Sequence, residues 1–311
     1  MKADRGIMVI AQGASRYICM AKNIAMSLQL SNPGIPRVLV TDSQDPDLLA
    51  YYNAVLPADP EFGVGFSQKI HADKYSPFQR TILIDVDCLV IRDISWLFER
   101  FEGKPVSVIG RKVMSGPSIG STVEKLREQA GVQYLLSFNG GVYYFEKRPD
   151  AQDVFNEARR IFSNEYDALG LVKFNGRPGD EPVMSVAMGK FGMEPIDDDW
   201  HGMYTPVGQS GVFRMDALKG YCEFYKYGQL VKPAIMHFGG GYPEAFHYRR
   251  ERMKILIKYR CGLPGWLISG MVNLIYNPPY IVFVFFYRLL KTAMGKSRFK
   301  LSPIMPMFRF E

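Results

Sequence analysis

Apolar and polar positions change period repeatedly along the first two hundred residues. Short apolar runs at 7–11, 37–40, 82–84, 106–109 and 141–145, with a late one at 234–238, read as strands. Between them apolar residues recur every three or four positions, which predicts helices. The clearest is 17–30, where Ile18, Ala21, Ile24, Ala25 and Leu28 share one face. Further helices are predicted at 68–75, 122–130, 151–162 and 182–188, while 48–55 fits either state. Asn32-Pro33-Gly34 ends the first helix, and Pro149-Asp150 opens the one at 151–162. Strands alternating with helices predict an α/β fold, with a Rossmann-like mixed, mostly parallel sheet and helices on both faces.

The pattern changes at residue 249. Arg249, Arg250, Arg252, Lys254, Lys258 and Arg260 come first, then 26 residues without a charge (262–287), then Arg288, Lys291, Lys296, Arg298 and Lys300. This divides the chain into a domain over 1–248 and a basic, aromatic, apolar C-terminal segment over 249–311. The net charge of +7 conceals that division. The segment holds twelve Lys and Arg against two Asp and Glu, which leaves the domain 26 basic and 29 acidic residues. Because the basic groups bracket an apolar stretch, the expected partner is an anionic membrane surface and not nucleic acid. The stretch exceeds the roughly 20 residues a bilayer span needs. However, Asn277-Pro278-Pro279 is predicted to cut it into helices at 263–276 and 280–287, and both flanks are basic. A shallow hairpin or interfacial helices are therefore expected, with Trp266, Tyr276, Tyr280 and Tyr287 at the interface. A buried helical pair is the alternative. The four cysteines show no pair spacing and the first apolar run is too short for a signal peptide. The expected location is cytoplasmic, peripheral on the inner face of a membrane.

The chemistry starts at Ile82-Leu83-Ile84-Asp85-Val86-Asp87, an apolar strand ending in two carboxylates. Unpaired charge is costly at a buried strand, and the carboxyl ends of strands are where α/β folds bind ligands. Asp85 and Asp87 therefore read as a divalent-metal platform, or as a solvated strand-end turn. Other polar residues sit at the edges of apolar segments: Lys69, Asn139 before Gly140-Gly141, Asp180-Glu181 opening a helix, and His237 before three glycines. The first turn, Gln12-Gly13-Ala14-Ser15-Arg16-Tyr17, is neither a Gly-x-Gly-x-x-Gly fingerprint nor a P-loop. A nucleotide here would need its diphosphate held by a metal.

In order, Lys69 to Tyr75-Ser76 to the Asp85-x-Asp87 strand, Phe138-Asn139-Gly140-Gly141-Val142, Gly179-Asp180-Glu181 and Met236-His237-Phe238-Gly239-Gly240 resemble the glycogenin-like retaining glycosyltransferases. That group includes bacterial lipopolysaccharide galactosyltransferases, and the resemblance covers residues 6–245. It implies the GT-A fold and transfer of a sugar, with retention, from a nucleotide-diphosphate donor such as a UDP-sugar to a glycan or lipid-linked acceptor. It implies Mn²⁺ or Mg²⁺ on Asp85, Asp87 and His237. Ala11, Tyr17, Val86 and Gly240 would line the nucleotide, with Tyr17 stacked on the base. Lys69 would contact the donor phosphate or sugar, and Asn139 and Asp180 would line the sugar pocket. Asp180 would stabilise an oxocarbenium-like centre.

Read without the resemblance, each residue has a plainer role. His237 fits a core histidine, Asn139 a turn, Asp180 a helix N-cap, Lys69 a surface charge and Tyr17 ordinary core. Glu181 and Asp197-Asp198-Asp199 read as solvated. The family's Lys-Pro-Trp after the last glycine is replaced here by Gly241-Tyr242-Pro243-Glu244-Ala245-Phe246-His247. Its diphosphate contact would fall to His247, Arg249 or Arg250. The Asp that some members carry just before the Asn-x-Gly element is also absent, the residues here being Leu135-Leu136-Ser137-Phe138, so the transferred sugar is not named by these residues. A sugar-phosphate nucleotidyltransferase and a non-catalytic, membrane-docked nucleotide-binding protein are the alternative functions.

Overall fold

The computed structural model describes residues 3–118, 121–174, 176–240 and 245–294. The chain starts with β1 (Arg5–Ala11), α1 (Ser15–Ser31), β2 (Arg37–Thr41) and β3 (Ala54–Pro57). Two one-turn helices follow, α2 (Phe66–Lys69) and α3 (Ala72–Tyr75), then β4 (Arg80–Ile84) and β5 (Cys88–Val90). Next come α4 (Ser95–Phe101), β6 (Val106–Val113), α5 (Val123–Ala130), β7 (Leu135–Glu146), α6 (Pro149–Arg160) and α7 (Asp180–Lys190). Five further strands, β8 (Met203–Tyr204), β9 (Gln209–Asp216), β10 (Tyr221–Lys226), β11 (Gln229–Val231) and β12 (Ile235–His237), lead to α8 (Phe246–Cys261) and α9 (Gly265–Met294).

The central sheet has the order β3-β2-β1-β4-β7-β6. Its first four strands are parallel, as the alternation predicts; β1, β2 and β4 are almost wholly buried, while the edge strand β3 is half-buried. β7 makes the sheet mixed by running antiparallel to both β4 and β6. Successive residues of β1 face opposite layers. Ile7 and Val9 pack with Ile24 and Leu28 of α1 and Tyr248 of α8, while Met8 packs with Phe155 of α6 and Val183 of α7.

After β4 the chain turns at once, with Cys88 N–H donating to the Asp85 carbonyl at 3.0 Å. The apolar run is therefore two strands, and β5 leaves the central sheet to pair antiparallel with β12. The predicted 68–75 helix is likewise broken into α2 and α3. β9, β10 and β11 form an antiparallel meander that the apolar pattern does not announce. Its second turn, Tyr227-Gly228, has φ of 52° and 78°, the two positive values of a type I′ hairpin.

The C-terminal segment corrects two expectations. Asn277-Pro278-Pro279 does not interrupt the helix, and α9 runs through both prolines. An interior proline costs about 3 kcal/mol. Packing on α8 offsets it: Phe246 and Tyr280 stack at 4.0 Å, and Arg250 donates to Asn277 at 3.2 Å. The basic cluster is also not all surface. Lys254 is fully buried and Arg250 nearly so, both paired with Glu251. The basic residues at 296, 298, 300 and 309 lie outside the described residues.

Candidate active site

The acid pair lies at the carboxyl edge of the parallel strands. Ile84 pairs with Val142, and Asp85 N–H donates to the Gly141 carbonyl at 3.0 Å, so Asn139-Gly140-Gly141 lies beside the acids. In the small sheet His237 pairs with Cys88, which puts the imidazole next to Asp87. Its Nε2 is 3.1 Å from Asp87 Oδ1 and 3.6 Å from Asp85 Oδ2. Lys69, at the end of α2, reaches the same place. Its Nζ lies 2.7 Å from Asp85 Oδ1, 3.2 Å from the Gly140 carbonyl and 3.4 Å from Asp180 Oδ2. Asp180 opens α7 and is buried, and Tyr143 OH donates to it at 2.6 Å. Gly179 is the N-cap, so Asp180 does not serve as the cap. Five predicted residues, Lys69, Asp85, Asp87, Asp180 and His237, thus converge.

Two small residues make this packing possible. A Cβ on Gly141 would fall 2.7 Å from His237 Nδ1, and one on Gly140 would fall 2.8 Å from Glu181 Cγ. Asn139 has a narrower job than expected. Its Oδ1 accepts from Gly141 N–H at 3.0 Å and lies 2.5 Å from His237 Nδ1. An amide oxygen only accepts, so Nδ1 carries a proton, which leaves Nε2 as the nitrogen that would offer a lone pair to an ion between it and the acids.

The electrostatics call for a cation. Burial works against the Lys69 ammonium, but Asp180 and Asp85 outweigh it and raise its pKa. Burial raises Asp85 despite Lys69. Burial also opposes ionisation of Asp87, but His237 holds it below the usual carboxylate range. Burial lowers the His237 pKa, while Asp87 and Asp85 more than restore it. Asp87 Oδ1 is buried and has no hydrogen-bond partner among the described residues. An orphaned carboxylate oxygen 3.1 Å from an imidazole nitrogen matches two adjacent ligands of an ion bonded at about 2.1 Å. Asp85, Asp87 and His237 therefore fit a divalent cation, as two oxygen donors and one nitrogen. Cys88 Sγ also lies within 4.8 Å of the Asp87 and His237 donor atoms. Burial raises its pKa well above the usual thiol value, and it points at the Gly141 carbonyl at 3.9 Å, so it stays a neutral thiol and a poor ligand.

Glu181 is not solvated. It accepts from Gly140 N–H at 2.6 Å, and burial beside Asp180 raises its pKa to about 7. Its carboxyl stays protonated in the native state up to that pH, while the unfolded chain ionises near 4.5. Stability it contributes is present below 4.5 and lost as pH rises through 7. Glu181→Gln should then match wild type at pH 4 and exceed it at pH 8, by about 3 kcal/mol. Urea unfolding at both pH values in chelator checks this, and a pH-independent difference would refute it. Sequence reasoning missed both Glu181 and Tyr143. The Tyr143 signal was its place two residues beyond Gly141 on the same face of the strand.

The remaining predicted residues divide. Ala11 ends β1 at the same sheet edge and is buried. Tyr17, in the first turn of α1, is half-buried with the Arg16 guanidinium 4.8 Å from its ring centroid. Val86 sits between the acids, and Gly240, at φ 69°, ends the described part of the glycine run. Residues 241–244 lie outside the described residues. His247 and Arg250 do not serve a diphosphate. Burial, with Arg250 and Lys254 nearby, lowers the His247 pKa to about 3, and its ring packs between Phe213 and Tyr280. Arg250 is committed to Glu251 and the Met215 carbonyl. Arg249 remains, partly exposed in the first turn of α8. Asp198, expected in a solvated run, is buried and accepts from Gly202 N–H at 2.9 Å and Tyr204 OH at 3.1 Å.

No family model and no curated protein sequence matches the chain. Among solved structures it is similar to galactosyltransferase LgtC in complex with donor and acceptor sugar analogs. That match has 12% identity over 76% of this chain and 87% of that one, with a TM-score of 0.51. The bifunctional glycosyltransferase WbbM is similar at 13% identity over 77% of this chain and 46% of that one (TM-score 0.49). Mouse xyloside xylosyltransferase 1 matches at 15% over 65% and 88% (TM-score 0.43). At these identities the LgtC likeness speaks to architecture, and with the sheet order above it gives this chain the GT-A fold of glycosyltransferases.

Proposed function

We propose that this protein is a metal-dependent glycosyltransferase. It moves a sugar from a nucleotide-diphosphate donor, a UDP-sugar, to a glycan or lipid-linked acceptor held at the inner face of a membrane, with retention. The observation that carries this reading is the convergence of Asp85, Asp87 and His237 on one point, with Lys69 bridging Asp85 to Asp180. The similar galactosyltransferase was solved with donor and acceptor sugar analogs, which supports the same two substrate classes here.

Asp85, Asp87 and His237 would hold Mn²⁺ or Mg²⁺, which supplies neutralising charge for a departing diphosphate. In transfer the bond from C1 to the diphosphate oxygen breaks and its electrons leave with the nucleotide. The acceptor oxygen bonds C1, and its proton passes to the departing phosphate. Lys69 keeps a positive charge between the diphosphate and the sugar. Asp180, fixed by Tyr143 and Lys69, faces positive charge developing at C1. Ala11, Tyr17, Val86 and Gly240 line the nucleotide.

Asn139 orients His237 for the ion. Asn139→Ala should weaken Mn²⁺ binding roughly 10- to 100-fold, while Asn139→Asp, which still accepts from Nδ1, retains it. Calorimetric titration of Mn²⁺ with UDP present reads this, and equal affinities for Ala and Asn would remove the orienting role. A panel of nucleotide sugars with Mn²⁺ tests the function. Release of nucleoside diphosphate is expected. Release of pyrophosphate would indicate nucleotidyl transfer, and failure to bind any nucleotide would indicate a protein that keeps only the fold.

A further inference from the structure

The polarity of α9 is reversed. Its polar side chains turn inward, where Ser269 Oγ donates to Asp216 at 3.2 Å and Asn277 accepts from Arg250. Tyr280 OH lies 3.3 Å from His247 Nε2. Ile268 and Val272 are buried beside them. The outward side is apolar: Leu274 and Ile275 are 78% and 70% exposed, and Ile281, Phe285 and Phe286 are exposed further along the helix. A helix that meets water orients the other way, and an exposed apolar patch of this length marks a contact with another apolar phase.

We propose that this outward face is a bilayer-docking surface: α9 lies in the plane of an anionic membrane, sunk to the acyl-chain boundary on one side, and does not span it. The proposal builds on the membrane-held acceptor above. Charge favours lipid over a second copy of the chain. Arg260 is exposed just before α9, and the sequence supplies Arg288 and Lys291 in its last turns, with no charge from 262 to 287. Anionic headgroups match basic ends that flank an uncharged ridge, whereas an antiparallel pair of copies would set those ends against each other.

By length and composition Gly265–Phe286 would cross a bilayer. Two features prevent it. The inner side, from Ile268 to Tyr280, is occupied by α8 and the body of the protein, so lipid cannot surround the helix there. Pro278 and Pro279 have no N–H to offer the carbonyls of Leu274 and Ile275. Such carbonyls are hydrated at an interface but have no partner in the hydrocarbon centre.

The test uses the full chain and vesicles of phosphatidylcholine with 30% phosphatidylglycerol or of phosphatidylcholine alone. Co-sedimentation should favour the anionic vesicles at least about tenfold and weaken with salt. Leu274→Glu with Ile275→Glu should lose at least tenfold of that binding while the urea midpoint and donor hydrolysis stay unchanged. Phe285→Ser with Phe286→Ser gives an independent pair on the same face. Release of wild type from native membranes by alkaline carbonate is expected, and resistance to it would overturn in-plane docking. Undiminished vesicle binding by both pairs would overturn the face assigned. A wild-type dimer that both pairs dissociate, with no vesicle binding, would assign the ridge to a second copy and overturn the proposal. Vesicle binding without nucleoside diphosphate release would instead count against the enzymatic reading alone.

Discussion

Asp87→Ala should abolish Mn²⁺-dependent turnover of a nucleotide sugar, by on the order of a thousandfold, and lower Mn²⁺ affinity at least as far as loss of an orienting residue does. Asp87 Oδ1 is a buried oxygen with no hydrogen bond among the described residues, 3.1 Å from His237 Nε2. Without it, Asp85 is left gripped by Lys69 at 2.7 Å, and His237 has lost its nearer acid. Stability should change far less. The Asp87 charge is favourable in the fold through His237, so its loss costs something, but Lys69 still pairs with Asp85 and Asp180. In chelator the variant should stay folded, within about 2 kcal/mol of wild type by urea unfolding. Lost turnover with retained stability identifies a functional acid. Metal-dependent turnover within threefold of wild type would end the assignment.

Lys254→Ala should destabilise the fold by about 3–5 kcal/mol, the range for breaking a buried ion pair from one side. Lys254 is 0% exposed, and its Nζ lies 3.0 Å from Glu251 and 3.1 Å from Asp216. Glu251 keeps Arg250 at 2.7 Å, but Asp216 is left with Ser269 and no cation. Because Ser269 belongs to α9, the same change loosens α9 on the body. Lys254→Met with Asp216→Asn should recover most of the loss, since no uncompensated charge remains. Urea midpoints of the three proteins check it. A loss under 1 kcal/mol for Lys254→Ala would show that the cluster contributes little.

The acid pair was readable because two charges at the end of an apolar strand need an explanation, and Lys69, Asn139, Asp180 and His237 stood at similar boundaries. Their roles were less readable. Asn139 serves His237 through one oxygen, which depends on Gly141 leaving room for the ring. Glu181 looked solvated because neighbouring acids at a helix start often are, and only the fold shows Gly140 closing over it. The meander escaped notice because Tyr227-Gly228 is an uncommon pair for a type I′ turn and the flanking strands are partly exposed.

Local chemistry was enough for the sequence to determine the alternating α/β layers, the edge of the sheet that carries the acids, and the uncharged stretch between basic flanks. Each of these depends on the spacing of residues a few positions apart. What only the tertiary structure decided depends on partners far along the chain. The pairing of β5 with β12 brings His237 to Asp87 across 150 positions. The packing of α8 turns Arg250, Lys254 and His247 inward. The same packing keeps α9 continuous through two prolines, with its polar side on the protein and its apolar side outward. Neighbour spacing fixes which face of an element is apolar, but a long-range contact fixes what that face meets.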